Sequence, residues 1–395
     1  MRRPPPATVL GWLSFILIGW SGLLVPSVIR SVEADFAQTD AGLGAFYFLY
    51  AACYIVGSVG GGWLTERLGR RPVLAVAALL QAGGLVAQGL GPTWTVFLAA
   101  ALPRGIGSGA IDGGVNGLFL DLYPASRGRA LNVLHVFFSL GALGAPLAAG
   151  ILLAQGLTWQ VLALASGLVS LPLAALYAIV PMPSGRHAGV APSAGRPGAG
   201  RLLSPTLVAL AVAIGCYVAS EIGVSNWLVR FLEPAPLSVA TFALALFWGG
   251  LTLGRLVSAP IADRFDHVRF ATAWTLAGSF LLVGAVLIPS VPLAVAVFGL
   301  VGVAFGPIFP LIVAIGGERY PGRSAAVGGF LSGAAVLGSV VYPPVMGLLS
   351  VTIGLTAAML GTALLGFVGA GALLVAGRSA PERRLASDDA RAGPV

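Results

Sequence analysis

Twelve apolar runs, each long enough to cross a bilayer as a helix, constrain this chain more than any other feature of its sequence. They lie near 8–30, 42–64, 72–91, 94–122, 130–156, 158–181, 205–232, 237–262, 270–289, 292–316, 325–350 and 353–377. In lipid every backbone N–H and C=O must be satisfied within the spanning element, which leaves helices or a closed barrel. Barrel strands read as about ten residues of alternating polarity, whereas these runs are unbroken. The expected fold class is therefore an all-α membrane protein of twelve transmembrane helices. Composition agrees. With 57% hydrophobic and only 9% charged residues, the chain lacks the polar surface of a soluble globule, where about 25% would be charged.

A net charge of +8 raises the question of a nucleic-acid partner, but the distribution of the charge answers it differently. All 22 basic residues are arginine, and all except Arg30, Arg104, Arg230 and Arg255 fall on one side of the twelve-helix threading. The positive-inside rule makes that side the cytoplasm and puts both termini there, in the inner membrane of a prokaryotic cell. Arg2 and Arg3 before an apolar run resemble a signal peptide, yet the run is too long and lacks a convincing cleavage site, so it reads as a retained first helix. Cys53 and Cys216 both lie in apolar runs and can form neither a disulfide framework nor a metal cluster.

The chain repeats itself. A shift of 197 residues lays Gly57 on Gly254, Gly105 on Gly302, Gly109 on Gly306, Asp121 on Glu318, Tyr123-Pro124 on Tyr320-Pro321, Gly141 on Gly338 and Pro146 on Pro343. Six helices per repeat bring each half back to the same side, so the halves are parallel repeats with a site expected between them. The expected domains are 1–181, a Pro/Gly/Ser/Arg-rich cytoplasmic linker over 182–204, a second half over 205–377 and a tail over 378–395.

After the second run the sequence reads GWLTERLGRRPVL (Gly62 to Leu74), and PIADRFDHVRF (Pro260 to Phe270) stands at the matching place in the second half. The first resembles the signature loop of the major facilitator superfamily, which usually has Asp where this chain has Glu66. The resemblance covers the whole chain. It implies an inner gate made of Gly62, Glu66, Arg67, Gly69, Arg70, Arg71, Asp121, Asp263, Arg264 and Glu318, locked in the outward-open state. Three further stretches, RGIGSGAIDGGVN (Arg104 to Asn116), LNVLHVFFSLGALGAP (Leu131 to Pro146) and YVASEIGVSNWL (Tyr217 to Leu228), are similar to the fucose- and glucose-permease branch of that superfamily. That branch implies sugar transport coupled to protons or sodium. Unlike the fucose permeases, this chain has no acidic residue in the run 8–30.

Ionisable residues at membrane depth are costly, by roughly 2.5–3.5 kcal/mol each, and so mark function or mutual pairing. Arg104, Ser108, Asp112 and Asn116 recur every four residues on one stripe of the fourth helix. Two roles are open: Arg104 and Asp112 neutralise one another, or Asp112 carries a proton with Arg104 tuning it. His135 is either a packing histidine or a member of the proton or sugar site. Glu221, Asn226 and Trp227 suit a sugar, since a carboxylate accepts hydroxyls and an aromatic face covers a pyranose ring. Tyr217, Trp20, Gln81 and Asn116 complete the expected binding set. Arg255 is expected to snorkel to the interface, while Arg30-Glu33 and Arg230-Glu233 are expected at the outer rim.

These features lead to a secondary active transporter by alternating access, expected to be a proton-coupled hexose symporter of the glucose, mannose or fucose type, working as a monomer on a small polar solute. The alternatives are a proton-driven exporter of sugars or drugs, or a transporter-like sensor. No catalytic set, metal cluster, phosphate loop or cofactor motif stands in the sequence, so neither an enzyme nor a cofactor is expected.

Overall fold

The computed structural model describes residues 4–124, 127–183, 204–258, 260–320 and 324–378. The described residues form α1 (Pro6–Phe36), α2 (Asp40–Leu68), α3 (Arg70–Leu90), α4 (Trp94–Leu122), α5 (Arg127–Ala154), α6 (Trp159–Ile179), α7 (Pro205–Phe231), α8 (Leu237–Ser258), α9 (His267–Leu287), α10 (Val291–Phe305), α11 (Ile308–Arg319), α12 (Ser324–Ile353) and α13 (Leu355–Arg378). Eleven spans are long and apolar enough to cross a membrane, α10 and α11 counting as one over Val291–Arg319. The twelfth is α4, which carries Arg104, Asp112 and Asp121.

That tenth span corrects the sequence expectation of one continuous helix over 292–316. Pro307 has no N–H to donate back to Val303, and the chain breaks into two helices at Gly306-Pro307. Most of the expected linker and tail, 184–203 and 379–395, lies outside the described residues.

The first half packs α1 on α5, α2 on α4 and α3 on both α4 and α6. In the second half α7 packs on α12, α8 on α10 and α9 on both α10 and α13, the same scheme six spans later. Glycines set the closest crossings. A Cβ on Gly57 would stand 2.1 Å from the Ile106 carbonyl, and one on Gly254 would stand 2.1 Å from that of Val303, the same contact displaced by the repeat. In lipid, such backbone approach supplies the dispersion contacts that hold helices together. Gly69, alone between α2 and α3, has φ +91°, a conformation that costs a residue with a side chain about 1–2 kcal/mol.

The halves touch through α2 on α12, α5 on α8 and, less extensively, α1 on α7. With the end holding Pro6, Leu68 and Arg70 as the near side, and that holding Phe36, Asp40 and Phe231 as the far side, these contacts are uneven. On the far side Gly44 lies against Pro344, Gly347 against Asp40 and Gly150 against Thr241. Midway, Phe138 meets Trp248 with ring centroids 5.9 Å apart. Toward the near side, Gly62 of α2 and Gly329 and Gly333 of α12, on the same faces as Gly44 and Gly347, have open space where a side chain would stand. The halves therefore close on the far side and splay on the near side.

Candidate functional site

Asp112 sits on α4 ten residues from its near-side end, about 15 Å along the axis. Asn116, one turn on, donates its Nδ2 to the Asp112 Oδ1 at 3.0 Å. Tyr54 of α2 directs its hydroxyl at the same carboxylate, and His135 of α5 faces it. The imidazole donates its Nδ1 hydrogen to the Leu131 carbonyl at 2.9 Å, which leaves Nε2 open on an exposed side chain. Its ring edge meets Phe15, with centroids 5.4 Å apart. Asp112, Asn116 and Tyr54 are half-buried, at the border of the splayed space. A carboxylate with an amide, a phenol and an imidazole can exchange a proton and accept a solute hydroxyl.

The expected coupling of Arg104 to Asp112 is not formed. Arg104 is 1% exposed and eight residues away, about 12 Å along the helix. Its guanidinium turns toward α1 and α3. Nε donates to Ser21 Oγ at 3.1 Å, Nη1 to Gln88 Oε1 at 2.8 Å, and Nη2 to the Ser21 carbonyl. The Tyr50 ring lies 4.8 Å beneath it. No ion pair to Arg104 or to Asp112 occurs among the described residues. The stripe was correctly periodic, but a helix stripe does not say how a long side chain bends.

In the second half Glu221 is 7% exposed. Arg255 of α8 faces it, with the Tyr217 hydroxyl between them. Arg255 does not snorkel away. Its Nε reaches back to the Gly306 carbonyl at 3.3 Å, at the break between α10 and α11. Asn226 and Trp227 do not join Glu221, because they stand about 140° and 120° around the helix from it. Trp227 is fully buried and donates Nε1 to the Pro343 carbonyl at 2.9 Å, while the Asn226 carbonyl accepts from Tyr47 at 3.0 Å. The Trp227 side chain and the Asn226 backbone thus belong to the contact between α7 and its neighbours.

Two other expected binding residues also serve packing. Trp20 donates Nε1 to Ser166 Oγ at 2.8 Å, tying α1 to α6. Gln81 is fully buried inside the first half, where its Nε2 approaches the Leu17 carbonyl at 3.5 Å. Tyr54, Ser21, Gln88 and the inward turn of Arg255 escaped the sequence reading. The first three carry no charge, though Tyr50-Tyr54 and Gln81-Gln88 have helical spacings that mark shared faces.

At the near side the expected gate residues pair within their own halves. Arg70 bridges to Asp121 at 2.9 Å and donates to the Pro183 carbonyl at 3.0 Å. His267 meets Glu318 at 2.7 Å, and both members stand one repeat length beyond Arg70 and Asp121. Arg67 lies over the Trp63 ring, 3.9 Å from its centroid, and Arg71 and Arg264 are exposed. The side chains of Glu66 and Asp263 lie outside the described residues.

The model of the Major Facilitator Superfamily matches residues 10–269. Among curated proteins, the chain is 26% identical over 271 residues to protein TsgA of Salmonella arizonae, covering 67% of this chain and 68% of that protein. It is 23% identical over 145 residues to the uncharacterized MFS-type transporter YfkL of Bacillus subtilis, spanning only about a third of that protein's length, 34%. Among solved structures, the bacterial homologue of the human lysosomal transporter Spinster, inward-facing and unoccupied, superposes with a TM-score of 0.79 at 16% identity, over 96% of this chain and 98% of that one. A D-xylose-proton symporter gives 0.76 at 17% identity, over 96% and 98%. Fold, repeat and family match agree: the chain is a multi-pass membrane transporter belonging to the Major Facilitator Superfamily.

Proposed function

We propose that this protein is a proton-coupled symporter of a small polar solute, a hexose of the glucose, mannose or fucose type, with Asp112 as the proton carrier. One observation carries the reading: Asp112 is a half-buried carboxylate at membrane depth, grouped with Tyr54, Asn116 and His135, and no guanidinium ion-pairs with it among the described residues. A carboxylate paired with an arginine has its ionised form favoured. One without that partner can gain and lose a proton as its surroundings alternate between closed and open. Glu221 with Tyr217 and Arg255 forms the facing polar group for the solute. The permease-like stretches around Arg104, Leu131 and Tyr217 favour a sugar.

In this reading the two halves rock about the central site. The near side is cytoplasmic, the structure is the inward-open state, and the protein works as a monomer in a bacterial cell membrane, with 182–204 as a cytoplasmic linker. The Arg70–Asp121 and His267–Glu318 pairs then belong to an inner gate that is disengaged. Uptake of a labelled hexose panel into proteoliposomes tests the reading. A pH gradient, and not a sodium gradient, should drive accumulation of at least one sugar. Accumulation driven only by sodium would remove the proton, and pH-driven accumulation of a non-sugar solute alone would remove the hexose.

A further inference from the structure

The far side holds a charged network that neither the solute site nor the signature loop uses. Arg230, at the end of α7, reaches Glu33 of α1 at 2.8 Å and Asp40 of α2 at 3.1 Å, and it also meets Glu233. Asp40 accepts from Arg230 on Oδ1 and from Ser350 of α12 on Oδ2, so one carboxylate joins both halves at two helices. Arg30 of α1 donates to the carbonyls of Val229 at 2.7 Å and Ala235 at 2.8 Å. Tyr47 of α2 adds its bond to the Asn226 carbonyl. Except for Arg230–Glu233, each of these contacts runs from the first half to the second, and each lies on the far side.

Position and chemistry together define a role. Asp40 is 7% exposed, and its backbone carbonyl packs on Gly347, so its charge is held where water competes weakly. Opening this face would break both bonds of Asp40 into the second half and leave Arg230 only Glu233 of its own half, and close charge contacts in a partly buried setting are worth more than an exposed pair. The near side offers no matching cross-half contact among the described residues. Contacts made in one state only are what bias a two-state equilibrium.

We infer that Arg230 and Asp40 are the keystone of a far-side latch, which holds the two halves closed on this face and must open for the solute to enter from it. This inference rests on the alternating-access reading but not on the identity of the solute.

Nitroxide labels at Pro92→Cys and Ser290→Cys, in the exposed far-side loops of the two halves, test it in a background with Cys53 and Cys216 replaced by alanine. Pulsed electron spin resonance in proteoliposomes reads the distance between them. Arg230→Gln and Asp40→Asn should each raise the population of the longer, far-side-open distance by about tenfold. A wild-type distance distribution in either variant would overturn the latch. Asp40→Asn is isosteric and decides the matter alone should Arg230→Gln not fold. Hexose uptake measured on the same preparations separates the two readings, since its absence removes the substrate while the distances still judge the latch.

Discussion

The two halves share a helix scaffold yet treat their deep charges in opposite ways. In the first, the arginine and the carboxylate of α4 part company: Arg104 is bound by Ser21 and Gln88 in the bundle interior, and Asp112 is left beside Tyr54, Asn116 and His135 at the edge of the splayed space. In the second, carboxylate and guanidinium come from different helices and face each other across Tyr217. An unpaired acid can change its charge during a cycle. One that faces an arginine across a phenol keeps a fixed positive neighbour beside it, and suits a binding role. A carboxylate's value for coupling therefore depends on where the nearest arginine bends, not on depth in the membrane alone.

Neutralising each carboxylate should break the symmetry most visibly. Asp112→Asn should lower pH-driven accumulation by about a hundredfold or more while leaving exchange of labelled for unlabelled sugar in place, because the site is then fixed in one protonation state. Proteoliposome uptake and counterflow measure the two arms. Counterflow lost together with accumulation would make Asp112 a binding residue instead.

Arg104→Ala should act on stability, since it leaves Gln88 and Ser21 without their partner in a buried site. Losing these charge-assisted hydrogen bonds and leaving buried neutral partners unmatched costs about 1.5–3 kcal/mol. A clear fall in the thermal unfolding midpoint of purified protein, with the coupling ratio of the surviving fraction unchanged, is expected. A changed ratio would return Arg104 to the proton path.

Glu221→Gln should weaken sugar binding by roughly tenfold, the loss of a hydrogen bond to a charged group. Calorimetry on the detergent-purified variant measures it, and wild-type affinity for every transported sugar would remove Glu221 from the site.

Trp227→Phe should have the smallest effect. It removes one donor to Pro343, worth about 1 kcal/mol of stability, and should leave sugar affinity unchanged in the same titration. A tenfold loss of affinity would put the indole back on the sugar.

The difference between what the sequence made legible and what it hid follows from range. Spans and the internal repeat were readable, because hydrophobic length and a fixed 197-residue offset are properties of the chain itself; the offset lays Asp121 on Glu318, but that Arg70 and His267 are their partners was not read. The break at Gly306-Pro307 was signalled by a proline, but Pro146 and Pro172 lie inside unbroken helices, so that signal does not decide by itself. Side-chain direction was not readable. Glu221 and Trp227 share one short sequence stretch yet point to different neighbours, and Arg255 turns inward to a carbonyl exposed by a break in another helix. Tyr54 and Gln88 gain their roles from partners 58 and 16 residues away.

Proton movement elicited by the sugar itself tests the central claim most directly. Proteoliposomes loaded with a pH-sensitive dye, with no pH gradient imposed, are given an inward gradient of a transported hexose. Wild-type protein should acidify the lumen as protons enter with the sugar, and Asp112→Asn should carry labelled sugar inward with no change of luminal pH. Sugar-driven acidification that persists in Asp112→Asn would contradict the assignment of Asp112 as the proton carrier.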